Sequence, residues 1–144
     1  MSIAASFALR SLRRAVSLAL LPAAIAQSAH AQPNCGLYDY RAEIVRVIDG
    51  DTVVADIDLG FNTWRKDEHL RLRGIDAPEI RGEERPEGLI AAEALRERLA
   101  GRDLVICTIK DRTGSFGRFL VDIYDGDILI NDWMIEQGYA VRRD

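Results

Sequence analysis

Two segments of the sequence place carboxylates at the ends of apolar runs. The first is Asp49-Gly50-Asp51-Thr52, and the second is Arg71-Leu72-Arg73-Gly74-Ile75-Asp76-Ala77-Pro78-Glu79. Asp51 and Asp76 carry the hard oxygen ligands that calcium prefers, so the two residues could share one ion. Glu79 lies beyond a proline and could instead hold a water molecule as a general base. The pair of segments indicates metal-assisted hydrolysis, whereas either segment alone could be a solvated strand end or turn.

Two arginines accompany these carboxylates. Arg71 opens the second segment, and Arg118 ends the glycine-rich turn Arg112-Thr113-Gly114-Ser115-Phe116-Gly117-Arg118. A guanidinium group stays protonated and donates two hydrogen bonds from its planar fork, which suits a phosphate group. The turn alone could equally be a charged surface loop. Together the two arginines predict an anionic substrate that carries phosphate.

The Asp-Gly-Asp tripeptide occurs twice, at residues 49–51 and 125–127. Asp-Gly is a common hairpin turn because glycine accepts a positive φ and aspartate bonds to nearby backbone. The tripeptide by itself therefore predicts a turn. The first copy is favoured as a metal ligand only because the second segment accompanies it and supplies further carboxylates.

Short strands interrupted by one helix must position these residues. A helix is predicted from Pro86 to Gly101, because its apolar residues recur on one face, and a shorter one over 130–137. Residues 59–68 are polar and are predicted to be irregular. The pattern favours an α+β, mainly β fold: a five-stranded Greek-key barrel of the OB type, with the main helix after the third strand and a short C-terminal helix. The strands are predicted at residues 40–48, 52–57, 70–75, 104–109 and 119–124.

In this order, the D-G-D-T element, the R-x-x-x-x-D-x-P-E element and the glycine-arginine turn resemble the signatures of the staphylococcal nuclease family. The resemblance covers residues 40–141. It implies that Asp51, Asp76 and the backbone carbonyl of Ala77 hold one Ca²⁺ ion. Ala77 stands where the family more often has threonine, and a main-chain ligand tolerates that difference.

The same resemblance implies roles for the remaining residues. Glu79 would be the general base that activates water, and Arg71 and Arg118 would bind the scissile phosphate and neutralise charge in the transition state. The implied activity is endonucleolytic hydrolysis of DNA, RNA or both, leaving 3′-phosphates. Nucleic acid is therefore the expected partner, and calcium the expected cofactor.

Three departures from that family bear on substrate binding. The connection between the first two segments contains Phe61 and Trp64 beside two cations, which could stack on bases, although covering an end of the barrel is the favoured interpretation. The loop at residues 80–88 is acidic where the family's best-known member is lysine-rich. The sequence ends at Asp144, before the tyrosine-bearing segment of that member. All three departures concern affinity for nucleic acid rather than the chemistry.

Two other functions fit part of the pattern. A catalytically silent OB module that binds nucleic acid or protein would not need all five side chains of the pattern, Asp51, Arg71, Asp76, Glu79 and Arg118. An exported calcium-binding domain without hydrolysis would explain the two aspartates and leave the two arginines unexplained. The nuclease interpretation accounts for the whole set.

The first 31 residues have the features of a cleaved export signal: three arginines, an apolar run over 15–26, and Ala29-His30-Ala31 before the cleavage point. The run is shorter than the roughly 20 residues of a membrane-spanning helix. The predicted organisation is a signal peptide at 1–31, an extension at 32–39 and one nuclease domain at 40–144. The expected location is the periplasm or the exterior of the cell, with no membrane association after cleavage.

The net charge of the protein limits how it can be expected to bind nucleic acid. The sequence has 19 basic and 23 acidic residues, and three of the basic residues lie in the predicted leader, so the exported form has a formal charge of −7. Proteins that hold the phosphate backbone tightly usually have a basic surface. The balance argues against a nucleic-acid scaffold and fits an enzyme with transient contacts, expected to be a monomer.

The exported form would have two cysteines, Cys35 and Cys107. An oxidising compartment permits a disulfide between them, but a buried Cys107 and a free Cys35 fit the sequence equally well.

Overall fold

The structure is a computed structural model that describes residues 35–36, 38–113 and 117–143, without the side chains of 110–113. The predicted signal peptide at 1–31, half of the extension at 32–39, the centre of the glycine-rich turn and residue 144 lie outside the described residues. Within the described part, neither helix is long and apolar enough to cross a membrane.

Strands dominate the chain and two helices interrupt them. A 3-10 turn, Gly82–Glu84, leads directly into the longer helix. In chain order the elements are β1 (Asp39–Asp49), β2 (Thr52–Asp58), β3 (Trp64–Leu72), β4 (Ile75–Asp76), α1 (Arg85–Leu99), β5 (Leu104–Thr113), β6 (Phe119–Asp125), β7 (Ile128–Leu129), α2 (Ile130–Glu136) and β8 (Val141–Arg142).

Five of these strands close into a barrel. The order is β3-β2-β1-β5-β6, and β3 also pairs with β6 in parallel, with Leu70 opposite Phe119. Closure leaves no open edge among the five strands, which is how a small barrel avoids exposing unpaired backbone groups. The predicted five-stranded OB-type barrel, mainly β with two helices, is confirmed.

The core fills the barrel and extends beneath α1. Strand β2 contributes Val53 and Ala55, and α1 buries a stripe that includes Ala92 and Leu95. Alanines in that stripe let the helix backbone approach the barrel closely. Helix α1 therefore lies against the segment that follows β4, which contains the end of the second motif at Glu79.

Part of the polar stretch at 59–68 is a strand, so the prediction of an irregular connection there is wrong. Strand β3 begins at Trp64, and its first four residues are exposed. Asp67 has a φ of 55°, and the pairing with β2 shifts register opposite it. An exposed strand with a bulge has no alternating apolar pattern, and that pattern was the signal for the other strands.

Phe61 does not cover an end of the barrel, which corrects the favoured interpretation of this loop. Its side chain is fully exposed, at 102% of the reference area, in the turn between β2 and β3. Trp64 is partly exposed, and Lys66 Nζ lies 4.6 Å from the centre of its ring. Phe61 and Asn62 both adopt positive φ, which is the conformation of a tight turn between two paired strands.

Buried Asn131 ties α2 to the barrel. Its Oδ1 accepts a hydrogen bond from the backbone N–H of Ile123, and its Nδ2 donates to the carbonyls of Val121 and Arg73. The last of these contacts reaches the turn before β4. Since each polar atom of a buried amide needs a partner, this network holds the chain that carries Asp76 in one arrangement.

Cys35 and Cys107 form a disulfide in the structure, with Cα atoms 5.5 Å apart. That separation is typical of a disulfide. The bridge ties the start of the described chain to β5, beside the backbone bond from Thr108 N–H to the carbonyl of Tyr38.

Removing this bridge should destabilise the fold. Cys35→Ala should lower the free energy of unfolding by up to about 4 kcal/mol, because a link across 72 residues restricts the unfolded chain. Urea unfolding with and without reductant measures the effect, and reductant should abolish the difference between the variant and wild type. Two free thiols in denatured, unreduced wild-type protein would contradict the bridge.

Candidate active site

Asp51 lies at the end of the barrel, in a turn that packs tightly against two other elements. A Cβ at Gly50 would lie 2.6 Å from Cβ of Ala77 and 2.8 Å from Cβ of Ala91 in α1. Only glycine fits at this contact. The turn between β1 and β2 therefore sits against both α1 and the segment after β4, and Asp51 is 3% exposed.

This packing separates the first Asp-Gly-Asp copy from the second. The second copy forms the turn between β6 and β7, where Asp127 is exposed and Asp125 accepts a bond from Arg98 of α1. Gly126 at its centre has a φ of 59°, which a tight turn accommodates. The tripeptide is the same, and the surroundings differ.

Arg71 joins the two aspartates. Its Nη1 donates to Asp51 Oδ1 at 2.7 Å, and its Nη2 donates to Asp76 Oδ1 at 2.8 Å. Arg71 lies near the end of β3 directly opposite Thr52, the first residue of β2. The planar fork therefore spans the two carboxylates and holds them on either side of one guanidinium group.

Thr52 connects this cluster to the second arginine. Its hydroxyl donates to Asp51 Oδ1 at 2.9 Å and accepts from Arg118 Nη1 at 3.1 Å. Arg118 directly precedes β6, whose first residues pair with the end of β3. Residues from β2, β3 and β6 thus meet at one end of the barrel, and the structure brings together Asp51, Arg71, Asp76 and Arg118.

Burial raises the pKa of Asp51 from its ordinary value of 3.8 to about 6, and the negative charge of Asp49 adds to the increase. The hydrogen bond from the N–H of Ala77, the charge of Arg71 and the hydroxyl of Thr52 oppose it without cancelling it. Asp51 is therefore a buried carboxylate whose negative charge is incompletely balanced by the protein itself.

This pKa predicts a pH-dependent stability. A carboxyl group that binds its proton more tightly in the folded state stabilises the fold below pH 3.8, and the contribution is lost as the pH rises to about 6. In calcium-free buffer, the unfolding free energy of wild type minus that of Asp51→Asn should fall by about 2 kcal/mol between pH 4 and pH 7.5. Asp127→Asn should show no such change in the same urea titrations.

Glu79 lies on the segment that follows β4. Its backbone N–H donates to Glu84 Oε2 at 3.2 Å, and its side chain is exposed. Gly88 of α1 fixes the backbone here: a Cβ at that position would lie 2.3 Å from the carbonyl oxygen of Glu79 and 2.8 Å from that of Pro78. The helix thus supports the position of Glu79 by direct backbone contact.

Gly88→Ala should therefore move Glu79. The added methyl group meets backbone atoms, which cannot rotate away, and a displacement of about 1 Å can cost up to 10²-fold in rate. If Glu79 acts in catalysis, we expect kcat for DNA hydrolysis to fall at least tenfold with a smaller change in KM. Ile90→Ala, an exposed change on the same helix, is the control and should leave kcat unchanged. An unaltered kcat in Gly88→Ala would exclude this support.

The donor set suits a hard divalent cation. Asp51 and Asp76 supply carboxylate oxygens, and the backbone of Ala77 adjoins them, since its N–H donates to Asp51 Oδ2 at 3.1 Å. Among the described residues no group of three or more His, Cys, Asp or Glu side chains could hold a metal ion. A cation here would thus depend on two carboxylates, a main-chain oxygen and water, which is within the range calcium accepts.

Three contributors were missed at the level of sequence. Thr52 belongs to the D-G-D-T motif but was given no role of its own, and Gly88 lies in the predicted helix without an assigned role. Arg143 was not selected, although it donates to Asp76 Oδ1 at 2.6 Å. The apolar and turn patterns carry no signal for any of them. Each depends on contacts between segments that are distant in sequence.

The fold and the site define a class: an OB-type barrel whose end carries paired carboxylates and arginines suited to a metal ion and a phosphate. The chain belongs to the family described as staphylococcal nuclease homologue, whose model matches residues 69–144. The match includes Arg71, Asp76, Glu79 and Arg118, and Asp51 lies before it.

Three relatives are similar over most of the barrel. The thermonuclease of Staphylococcus intermedius is 30% identical over 108 residues, 71% of this chain and 61% of that protein. The thermonuclease of Staphylococcus hyicus is 28% identical over 101 residues, 68% of this chain and 56% of that protein. An uncharacterized endonuclease of Escherichia coli is 31% identical over 105 residues, 71% of this chain and 60% of that protein. The chain thus spans less than two thirds of the length of these relatives.

Proposed function

We propose that this protein is a calcium-dependent endonuclease that hydrolyses phosphodiester bonds of DNA, RNA or both. The observation that carries the proposal is the fork of Arg71, which joins Asp51 and Asp76 while Thr52 links Asp51 to Arg118. Metal-assisted phosphodiester hydrolysis requires carboxylates and cations in one compact site. Relatives named thermonuclease and endonuclease support the same conclusion.

Asp51, Asp76 and the carbonyl of Ala77 would hold the calcium ion, with water completing its shell. Calcium, when bound, would polarise a phosphoryl oxygen and offset charge in the transition state. The raised pKa of Asp51 supports this assignment, because a carboxylate left with uncompensated charge gains from a divalent cation. Family membership supports calcium as the ion.

Glu79 would take a proton from the attacking water as the new oxygen–phosphorus bond forms. The bond from phosphorus to the 5′ oxygen would break and that oxygen would take up a proton from solvent water, leaving a 3′-phosphate on one product and a 5′-hydroxyl on the other. Arg71 and Arg118 would donate hydrogen bonds to the phosphate oxygens, whose negative charge becomes concentrated as five-coordinate phosphorus forms.

Substrate affinity should be modest and should depend on calcium. The exported form would have a formal charge of −7, and three of its acidic residues lie exposed in the 3-10 turn and first turn of α1 beside Glu79: Glu83, Glu84 and Glu87. Without a divalent cation these charges oppose the phosphate backbone, so we propose weak, salt-sensitive binding that calcium strengthens. Tight binding without metal would favour a silent OB module.

Export is proposed from the leader alone. Cleavage after Ala31 would release a monomeric enzyme starting at Gln32, in the periplasm or outside the cell, without membrane association. Its domain would run over 40–144. Intact-mass measurement of exported protein tests the cleavage point, and retention of Met1 would contradict it.

Zymography in a gel containing DNA, with and without a calcium chelator, tests the activity. A cleared band that the chelator abolishes supports the proposed nuclease. Absence of clearing with calcium present would instead indicate a silent module or a calcium-binding domain. Clearing that survives the chelator would overturn the calcium assignment while leaving hydrolysis intact. A parallel gel containing RNA addresses the substrate preference.

A further inference from the structure

A third arginine reaches the carboxylates from the end of the chain. Strand β8 pairs with β4, placing Val141 opposite Asp76, and the N–H of Arg143 donates to the carbonyl of Gly74 at 2.9 Å. These backbone bonds hold Arg143 beside Asp76. Its Nη1 donates to Asp76 Oδ1 at 2.6 Å, and its side chain is 63% exposed.

The oxygen that Arg143 contacts is already in use. Asp76 Oδ1 also accepts the bond from Arg71 Nη2, so two guanidinium groups share one carboxylate oxygen. A carboxylate oxygen offers two lone pairs, and both are engaged. In this arrangement Asp76 is paired with two guanidinium groups, with no metal ion.

The two arginines are not equally able to leave. The side chain of Arg71 is 16% exposed and also bonded to Asp51, whereas that of Arg143 is 63% exposed and, among the described residues, bonds to Asp76. A divalent cation on Asp76 would repel both guanidinium groups at short range. The exposed one can swing into water at little cost, since surface ion pairs are weak.

We propose that Arg143 occupies Asp76 in the metal-free protein and must be displaced when calcium binds, so that it raises the calcium concentration the site requires. The inference rests on the proposed function, because it concerns the same metal site. For an exported enzyme the consequence is direct: the site would stay closed by its own cation where calcium is scarce, and would open where calcium is plentiful.

Calorimetric titration of the full chain with calcium, in the absence of nucleic acid, tests this. Arg143→Gln should bind calcium up to about fivefold more tightly than wild type, the scale of a surface ion pair. Arg143→Lys retains a cation and should stay near wild type. The matched control is Arg142→Gln, which removes the same charge from the adjacent residue, where the guanidinium group bonds to Asp132 rather than to Asp76.

The outcomes separate this inference from the proposed function. Equal tightening in Arg142→Gln and Arg143→Gln would reduce the effect to net charge and overturn the role of Arg143. Weaker or unchanged calcium binding in Arg143→Gln would also overturn the role of Arg143, provided that the melting temperature of this variant matches that of wild type. If its melting temperature is lower, the decision rests on Arg143→Lys, which must then bind calcium like wild type. If no variant binds calcium, the metal site of the proposed function fails, and this inference fails with it.

Discussion

Glu79→Gln should lower kcat for DNA hydrolysis by about 10²-fold or more at saturating calcium, the usual scale for loss of a general base. The amide has nearly the shape of the carboxylate but cannot accept the proton of the attacking water. The side chain of Glu79 is exposed, whereas Arg71 holds Asp51 and Asp76 together, so calcium affinity should change little. Single-turnover hydrolysis of a labelled oligonucleotide and calorimetric calcium titration measure the two effects separately.

The acidic loop supplies a matched control for that result. Glu83→Gln removes the same charge from the neighbouring 3-10 turn, at a residue that is equally exposed. Its kcat should stay within about twofold of wild type, and its KM for DNA should fall because a repulsive charge is gone. Equal losses of kcat in the two variants would mean that the loop, rather than one base, supports the reaction.

Much of the barrel could be predicted from sequence because its strands are local patterns. Alternating apolar residues mark β1, β2 and β6, and Pro86 with the stop at Gly101 marks α1. The first half of β3 could not be predicted in this way. Its residues are exposed and its bulge at Asp67 interrupts the pairing, so neither burial nor alternation leaves a trace in the sequence.

The residues of the candidate site also fall into those that sequence motifs predict and those that they do not. Asp51, Arg71, Asp76 and Arg118 could be selected because their residue types follow motifs, and the parallel pairing of β3 with β6 brings them together. Gly88 and Arg143 could not be selected from the sequence. The first depends on a close approach of α1 to Glu79, and the second on pairing between β4 and β8 across more than sixty residues. Non-local contacts of this kind exist only in the folded chain.

The two Asp-Gly-Asp turns provide the most direct test of the metal assignment. Asp51→Asn and Asp76→Asn should each weaken calcium binding by at least tenfold, because each removes a full negative charge from a site with few protein ligands. Hydrolysis at limiting calcium should fall in proportion. Asp127→Asn changes the same residue type in the look-alike turn, where the side chain is exposed, and should leave both calcium affinity and hydrolysis almost unchanged.

Asp51→Asn needs one further measurement because its carboxylate also has a structural role. Oδ1 accepts bonds from Arg71 and Thr52, and Oδ2 accepts from the N–H of Ala77, so an amide nitrogen would face a donor on either side. Thermal melting without calcium should therefore accompany the titrations. If Asp127→Asn proved as damaging to calcium binding as Asp51→Asn while both variants stayed folded, the metal would belong to the other turn. The roles proposed for Arg71, Glu79 and Arg118 would then lose the ion around which they are arranged.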